Sequence, residues 1–261
     1  MSAPAFRPER LLCGTCAWSF EDWRGVFYPR SLPRNRWLGF YASRFPAVEM
    51  DSTFHHLPAA GTAIHWREMV GPDFRFCPKV PKSLSHTKRL DQPGPEIDMM
   101  RRLSGELGGA FGCALLQLPP SFVDNPGDGR LLRGFLRAWP SELPLAVEFR
   151  HESWERPHTA GLLADHGVAL VWADNLPLDR QSRAGFGFSP VTGGHLYVRL
   201  LGDFRTKYDA DGRETHRYGR LLWRRDTALA HWAAKIRQHP EASAVYVFAN
   251  NHYEGMAAET I

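Results

Sequence analysis

The sequence predicts an α/β fold of the TIM type, a (β/α)8-like barrel of parallel strands, and three observations carry that expectation. Eight short apolar or alternating runs recur along the chain, at 11–18, 47–54, 74–81, 113–120, 145–151, 169–175, 195–202 and 244–251. Most of the segments between them have helical spacing, and a strand that must run parallel to the next needs a crossover helix. At 261 residues, with 43% hydrophobic composition, the chain can build one large core, so a single domain over 1–261 is expected.

The first run holds Cys13 and Cys16. Three apart on a strand, they point to opposite faces, so neither a bridge nor a shared metal is expected, and Cys77 and Cys113 read as packed thiols in apolar runs. In the second run Val48 and Met50 alternate with Glu49 and Asp51, after which the chain opens into Ser52, Thr53, Phe54, His55 and His56. A strand that turns carboxylates to one face and ends in polar residues is what the rim of an enzyme barrel needs. Helical stripes are predicted over 35–45 (Trp37, Leu38, Tyr41, Phe45), 62–70, 96–107, 130–139, 158–166 and 225–238 (Leu229, Trp232, Ala233, Ile236). Between 176 and 194, Pro177, Pro190 and several glycines interrupt any helical face, so the sixth helix is weak. Only 256–261 follow the last run, so the C-terminal helix is incomplete. Two long charged connections, 82–95 and 203–220, follow strands and are expected at the mouth, the second as a lid carrying Arg205, Lys207 and Tyr208.

Helices cover the outside of such a barrel, so the apolar face of each strand points outward and the other face lines the interior. This parity sends Glu49, Asp51, Arg75, Cys77, Lys79, Gln117, Glu148, Arg150, Tyr197, Arg199, Tyr246, Phe248 and Asn250 inward and leaves Asp174 open to either side. Buried charges are costly unless paired or functional. One reading makes them structural ion pairs, Glu49 with Arg75 and Glu148 with Arg150. The other makes them a site, because they gather at the C-terminal strand ends where barrel enzymes keep their chemistry.

Six ordered motifs resemble the YecE-like family, the bacterial domain of unknown function number 72. They are Gly14-Thr-Cys-Ala-Trp-Ser19 with Asp22-Trp-Arg-Gly-Val-Phe-Tyr-Pro29, Val48-Glu-Met-Asp-Ser-Thr-Phe54, Phe76-Cys-Pro-Lys-Val-Pro81 with Ser85-His-Thr-Lys-Arg-Leu90, Leu116-Gln-Leu-Pro-Pro-Ser-Phe122, Val147-Glu-Phe-Arg-His-Glu-Ser-Trp154 and Tyr197-Val-Arg-Leu200. The resemblance covers nearly the whole chain and implies a TIM-type barrel, but little about activity. Met50-Asp51 stands where the family more often has Ile-Asn, which adds a charge.

The formal net charge of +4 and pI near 9.0 favour anionic ligands without demanding a polyanion. The first ten residues contain no apolar run of signal-peptide length and no run spans a bilayer, so a cytoplasmic protein with no membrane partner is expected. There is no G-x-G-x-x-G or P-loop pattern and no H-x-x-x-H spacing, so no metal site is expected and no cofactor is assigned.

Three functions fit. The first is an enzyme, of hydrolase or lyase type, acting on a small anionic substrate. Glu49, Glu148 and Lys79 carry its chemistry, a buried carboxylate having its pKa raised into the working range, and Trp18, Asp51, Phe54, His86, Gln117, Arg150, Arg199 and Asn250 bind substrate. The second is a nucleic-acid binder or phosphodiester-cleaving protein using the charged loops, with Tyr208, Tyr218 and Trp154 to stack on bases. The third is a non-catalytic metabolite-binding module. Trp23 reads as packing.

Overall fold

The computed structural model describes residues 11–175, 191–202 and 218–261. Eight strands form where the apolar runs fall: β1 (Leu11–Thr15), β2 (Ala47–Met50), β3 (Arg75–Pro78), β4 (Ala114–Gln117), β5 (Leu145–Glu148), β6 (Ala169–Asn175), β7 (Leu196–Gly202) and β8 (Val245–Ala249). All ladders are parallel. Six strands make a curled sheet in the order β1-β8-β7-β6-β5-β4, a half-barrel, while β2 and β3 pair separately.

The two seams between these sheets have local causes. At β1 and β2 the backbones meet closely at Gly14, where a Cβ would fall 1.9 Å from the Ala47 carbonyl oxygen. The Tyr41 hydroxyl replaces the ladder there, accepting from Thr15 N at 2.8 Å and donating to Ala47 O at 3.1 Å. At β3 and β4, Gly112 N donates to Phe76 O and Val80 N to Leu115 O, each at 2.8 Å. Pro78 lies between them and has no N–H to give.

The described helices are α1 (Trp37–Ala42), α2 (Thr62–Glu68), α3 (Gly94–Leu107), α4 (Pro126–Ala138), α5 (Pro157–Asp165), α6 (Asp226–Arg237), α7 (Asn251–Glu254) and α8 (Ala257–Thr260). Helix α4 begins four residues before the expected 130 because Asn125 caps it, accepting from Gly127 N and Asp128 N, with Pro126 in the first turn. An Asn-Pro pair is a helix-start signal that Gly127 and Gly129 obscure. After β8 the chain forms two four-residue helical turns, α7 and, within the expected 256–261, α8. Most of the weak sixth segment, 176–190, and most of the expected lid, 203–217, including Arg205, Lys207 and Tyr208, lie outside the described residues. No helix among the described residues is long and apolar enough to cross a membrane.

The core is layered as strand parity dictates. Cys77, Leu115, Val171, Tyr197, Tyr246 and Phe248 belong to the cluster inside the strands. Outward positions such as Val48, Phe76, Val198 and Val247, or Leu116 and Val147, pack into two outer clusters under the helices. Strand β6 resolves its ambiguity outward, since Asp174 accepts from Trp232 Nε1 of α6 at 2.9 Å and from the Tyr253 hydroxyl of α7 at 3.1 Å. Trp23 is fully buried among Phe20, Phe27 and Tyr28, in a packing role.

Arg75 departs from expectation. In the β2–β3 register it faces Ala47, two residues below the Glu49–Cys77 level, and its guanidinium donates to Pro72 O and Phe74 O. Two strand residues span about 6.6 Å, which removes it as a partner for Glu49.

Candidate functional site

The C-terminal ends of β2, β3, β4, β5 and β7 converge on one network. Glu49 is fully buried. Its Oε1 accepts from Arg199 Nη2 at 2.6 Å, and its Oε2 from Arg199 Nε at 2.9 Å and the Tyr197 hydroxyl at 2.8 Å. Arg199 reaches the other way through Nη1, to Glu148 Oε2 at 2.5 Å and Gln117 Oε1 at 3.1 Å. Glu148 Oε1 accepts from Arg150 Nε. Arg199 is thus a buried brace between two carboxylates, bidentate on one of them, and its donors are largely spent.

Gln117 Oε1 also accepts from Arg150 Nη2 at 3.1 Å and Lys79 Nζ at 3.3 Å. Three cations therefore share one neutral amide oxygen. Lys79 lies 3.0 Å from Asp51 Oδ1, an ion pair out of line for a hydrogen bond, and 4.5 Å above the Phe54 ring. The turn that positions Asp51 spans Asp51–Phe54. Its anchor is Thr53, whose hydroxyl accepts from Lys79 N at 2.8 Å and shares its proton between the carbonyls of Met50 and Lys79.

Above this network opens a cavity of 410 Å³ lined by Asp51, Ser52, Phe54, His55, Lys79, Gln117, Arg150, Arg199, Leu201 and Asn250. Seven expected site residues line it: Asp51, Phe54, Lys79, Gln117, Arg150, Arg199 and Asn250. Glu49 and Glu148 lie beneath it, 0% and 1% exposed. His86 stands at its edge, its ring 5.1 Å from Phe54. Trp18 is not part of it, because the indole packs edge-on against Trp66 at 5.3 Å and the outward-facing Phe76 at 6.3 Å. Ser52, His55 and Leu201 were not expected as site residues. The polar residues directly after β2 were the available signal for the first two, whereas Leu201 carries none.

Burial alone would raise the Glu148 carboxyl, but Arg150, Arg199 and Lys79 outweigh it and hold it at about 2. The expected upward shift is therefore reversed here, and Glu148 stays ionised at any ordinary pH. Burial disfavours charge on Arg199, yet Glu49 and Glu148 keep it firmly protonated. Burial, then the Glu49 charge, pushes both Cys16 and Tyr197 up, so thiol and phenol keep their protons. His86 moves down, through burial and then through Lys82, Lys79 and Arg150, which marks this corner as electropositive.

Among the described residues, Cys16, Glu49 and Asp51 form the one grouping with metal-ligand spacing, their ligand atoms within 4.8 Å of one another. The Arg199 guanidinium already serves as its cation, with both Glu49 oxygens occupied and the thiol protonated. All four cysteines are free, as expected. Of the loop cations offered for nucleic-acid phosphates, Lys88 pairs with Glu96 at 2.9 Å and Arg89 with Asp128 at 2.7 Å, while those of 203–217 lie outside the described residues. Trp154 is buried and stacked on Phe122 and Phe149.

Residues 12–261 match the family model described as protein of unknown function DUF72. UPF0759 protein YecE of Escherichia coli (strain K12) is 34% identical over 143 residues, covering 53% of this chain and 52% of that protein. The match thus spans about half the length of YecE. UPF0759 protein YunF of Bacillus subtilis (strain 168) is 24% identical over 263 residues, 95% of this chain and 91% of YunF. A DUF72 family protein from Thermotoga maritima superposes with a TM-score of 0.77 at 29% identity over 95% of both chains. Another from Enterococcus faecalis V583 does so at 0.70 and 22% identity, over 95% of this chain and 93% of that one, a likeness of fold. With 250 of its residues inside the family model and its strand ends built from the motifs that resemble the YecE-like pattern, the chain belongs to the DUF72 family.

Proposed function

We propose that the eight strands act as one (β/α)8-type barrel domain whose C-terminal mouth binds a small substrate through a phosphate or carboxylate group and acts on it as an enzyme. One observation carries the reading: the cavity presents donors. The oxygen of Gln117 is committed to three cations, and that of Asn250 caps α7 by accepting from His252 N at 3.1 Å. Both amide NH2 groups are left without a hydrogen bond among the described residues, on side chains that line the cavity. With Lys79, Arg150 and the Ser52 hydroxyl they complement acceptor oxygens, while the carboxylates that fix the arginines are buried below. Charge-assisted donors gathered in one cavity favour an oxyanion. Among the described residues, Asp51 is the one lining carboxylate. With Glu148 held at about 2 and both Glu49 oxygens engaged, proton transfer falls to Asp51 beside Lys79.

Phosphate, sulfate and small carboxylates are expected to raise the melting temperature more than chloride at matched ionic strength, and the His86 ring to titrate higher by NMR when phosphate is present, since an anion offsets the neighbouring cations. Equal shifts with chloride and an unmoved His86 would remove the reading. Turnover of a bound candidate separates an enzyme from a binding module.

A further inference from the structure

We propose that Lys79 is a nucleophile that forms an imine with a small carbonyl compound bearing a phosphate or carboxylate. The inference rests on the anionic-ligand reading and deepens it. Lys79 is the only amine among the described residues that line the cavity, its side chain 9% exposed and its Nζ set between Asp51 and the Phe54 ring. It shares one acceptor with Arg150 and Arg199. Guanidinium groups keep their protons throughout the pH range in which proteins fold, so of the three cations only Lys79 can supply a lone pair. The Gln117 and Asn250 amides, on the side of the cavity that Arg150 makes electropositive, take the anionic group. The carbonyl carbon then lies toward Nζ, beside the Phe54 ring.

The Asp51 carboxylate lies 3.0 Å from Nζ, and a turn that brings Oδ1 into line with an N–H sets it for the proton transfers that imine formation requires. It takes one proton from the Lys79 ammonium; the amine lone pair forms the C–N bond as the carbonyl π pair moves onto oxygen, and Asp51 returns the proton to that oxygen. Asp51 then takes a second N–H proton from the carbinolamine and delivers it to the hydroxyl, which leaves as water. The balance is ammonium plus carbonyl giving protonated imine plus water, with the Asp51 carboxylate regenerated. The imine is the electron sink that carbon–carbon cleavage or α-proton removal uses, which fits a lyase.

The experiment is reductive trapping on the full chain. Pyruvate, glyoxylate and dihydroxyacetone phosphate are each incubated with the protein and sodium borohydride, and the adduct is located by intact mass and peptide mapping. A single adduct on Lys79 is expected with at least one probe, absent in Lys79→Met and Lys79→Arg and formed about a hundredfold more slowly in Asp51→Asn. Adducts spread over exposed lysines, with Lys79 unmodified in the wild type, would overturn the proposal without appeal to the variants. If trapping fails while phosphate still raises the melting temperature, imine chemistry falls and anion binding stands; if both fail, both readings fall.

Discussion

Arg199→Met removes the brace at the centre of the site, and its cost follows from the contacts. Arg199 is 2% exposed and supplies two hydrogen bonds to Glu49, one to Glu148 and one to Gln117. Without it Glu148 keeps Arg150, but among the described residues Glu49 keeps only neutral donors, chiefly the Tyr197 hydroxyl. Leaving a buried carboxylate without its counter-ion costs about 3–5 kcal/mol. For a chain of this size each kcal/mol lowers the melting temperature by about 2–4 °C, so a loss on the order of 10 °C is expected. Equilibrium urea unfolding should show a lower midpoint at unchanged slope. The second variant sharpens the reasoning. Adding Glu49→Gln to Arg199→Met removes the stranded charge, so the double variant should recover about 2 kcal/mol relative to the sum of the two single losses. A loss below about 1 kcal/mol for Arg199→Met, or strict additivity in the cycle, would show that the brace is not what holds the carboxylates in place.

Glu148 should govern part of the acid limb. Its pKa is depressed from 4.5 to about 2, so it contributes about 3 kcal/mol that is fully present above pH 4.5 and lost as pH falls toward 2; Glu148→Gln should flatten stability against pH in that window, and an unchanged slope would refute the assignment. Gly14→Ala places a methyl 1.9 Å from a backbone carbonyl oxygen and should cost about 3 kcal/mol or more, read as a lost melting transition or a large midpoint drop; a stable Gly14→Ala protein would mean that the β1–β2 seam is looser than described. The thiols should be inert when native: burial raises Cys16, Cys77 and Cys113 and pushes Cys13 up to about 11. Ellman's reagent at pH 8 should therefore label them only after unfolding, and rapid native reaction at Cys16 would contradict its protonated, buried state.

The strands and their inward faces were legible because both are local. A period of two is written into runs such as Leu145-Ala-Val-Glu148 and Leu196-Tyr-Val-Arg199, and a buried outer face forces the rest inward. That logic placed Lys79, Gln117, Glu148 and Arg199 correctly, and it left Asp174 undecided because its strand is apolar on both sides until Trp232 and Tyr253 supply donors from outside. Parity states which way a side chain points but not its height relative to the neighbouring strands. Arg75 and Glu49 share a face yet differ by a two-residue step, so the acid pairs instead with Arg199, 150 positions away in sequence. Depth and neighbours also set charge. Burial of Glu148 and its pairing with Arg150, two residues on, were foreseeable, whereas Arg199, which adds to the reversal, comes from a strand whose meeting with Glu148 depends on register and curl. The division of the strands into two sheets likewise arises where Gly14 meets Ala47 and where Pro78 meets β4, contacts between segments far apart in the chain. Alternation along one strand is fixed by backbone geometry, but register between strands is fixed by the packing of the whole, so only the tertiary structure could decide it.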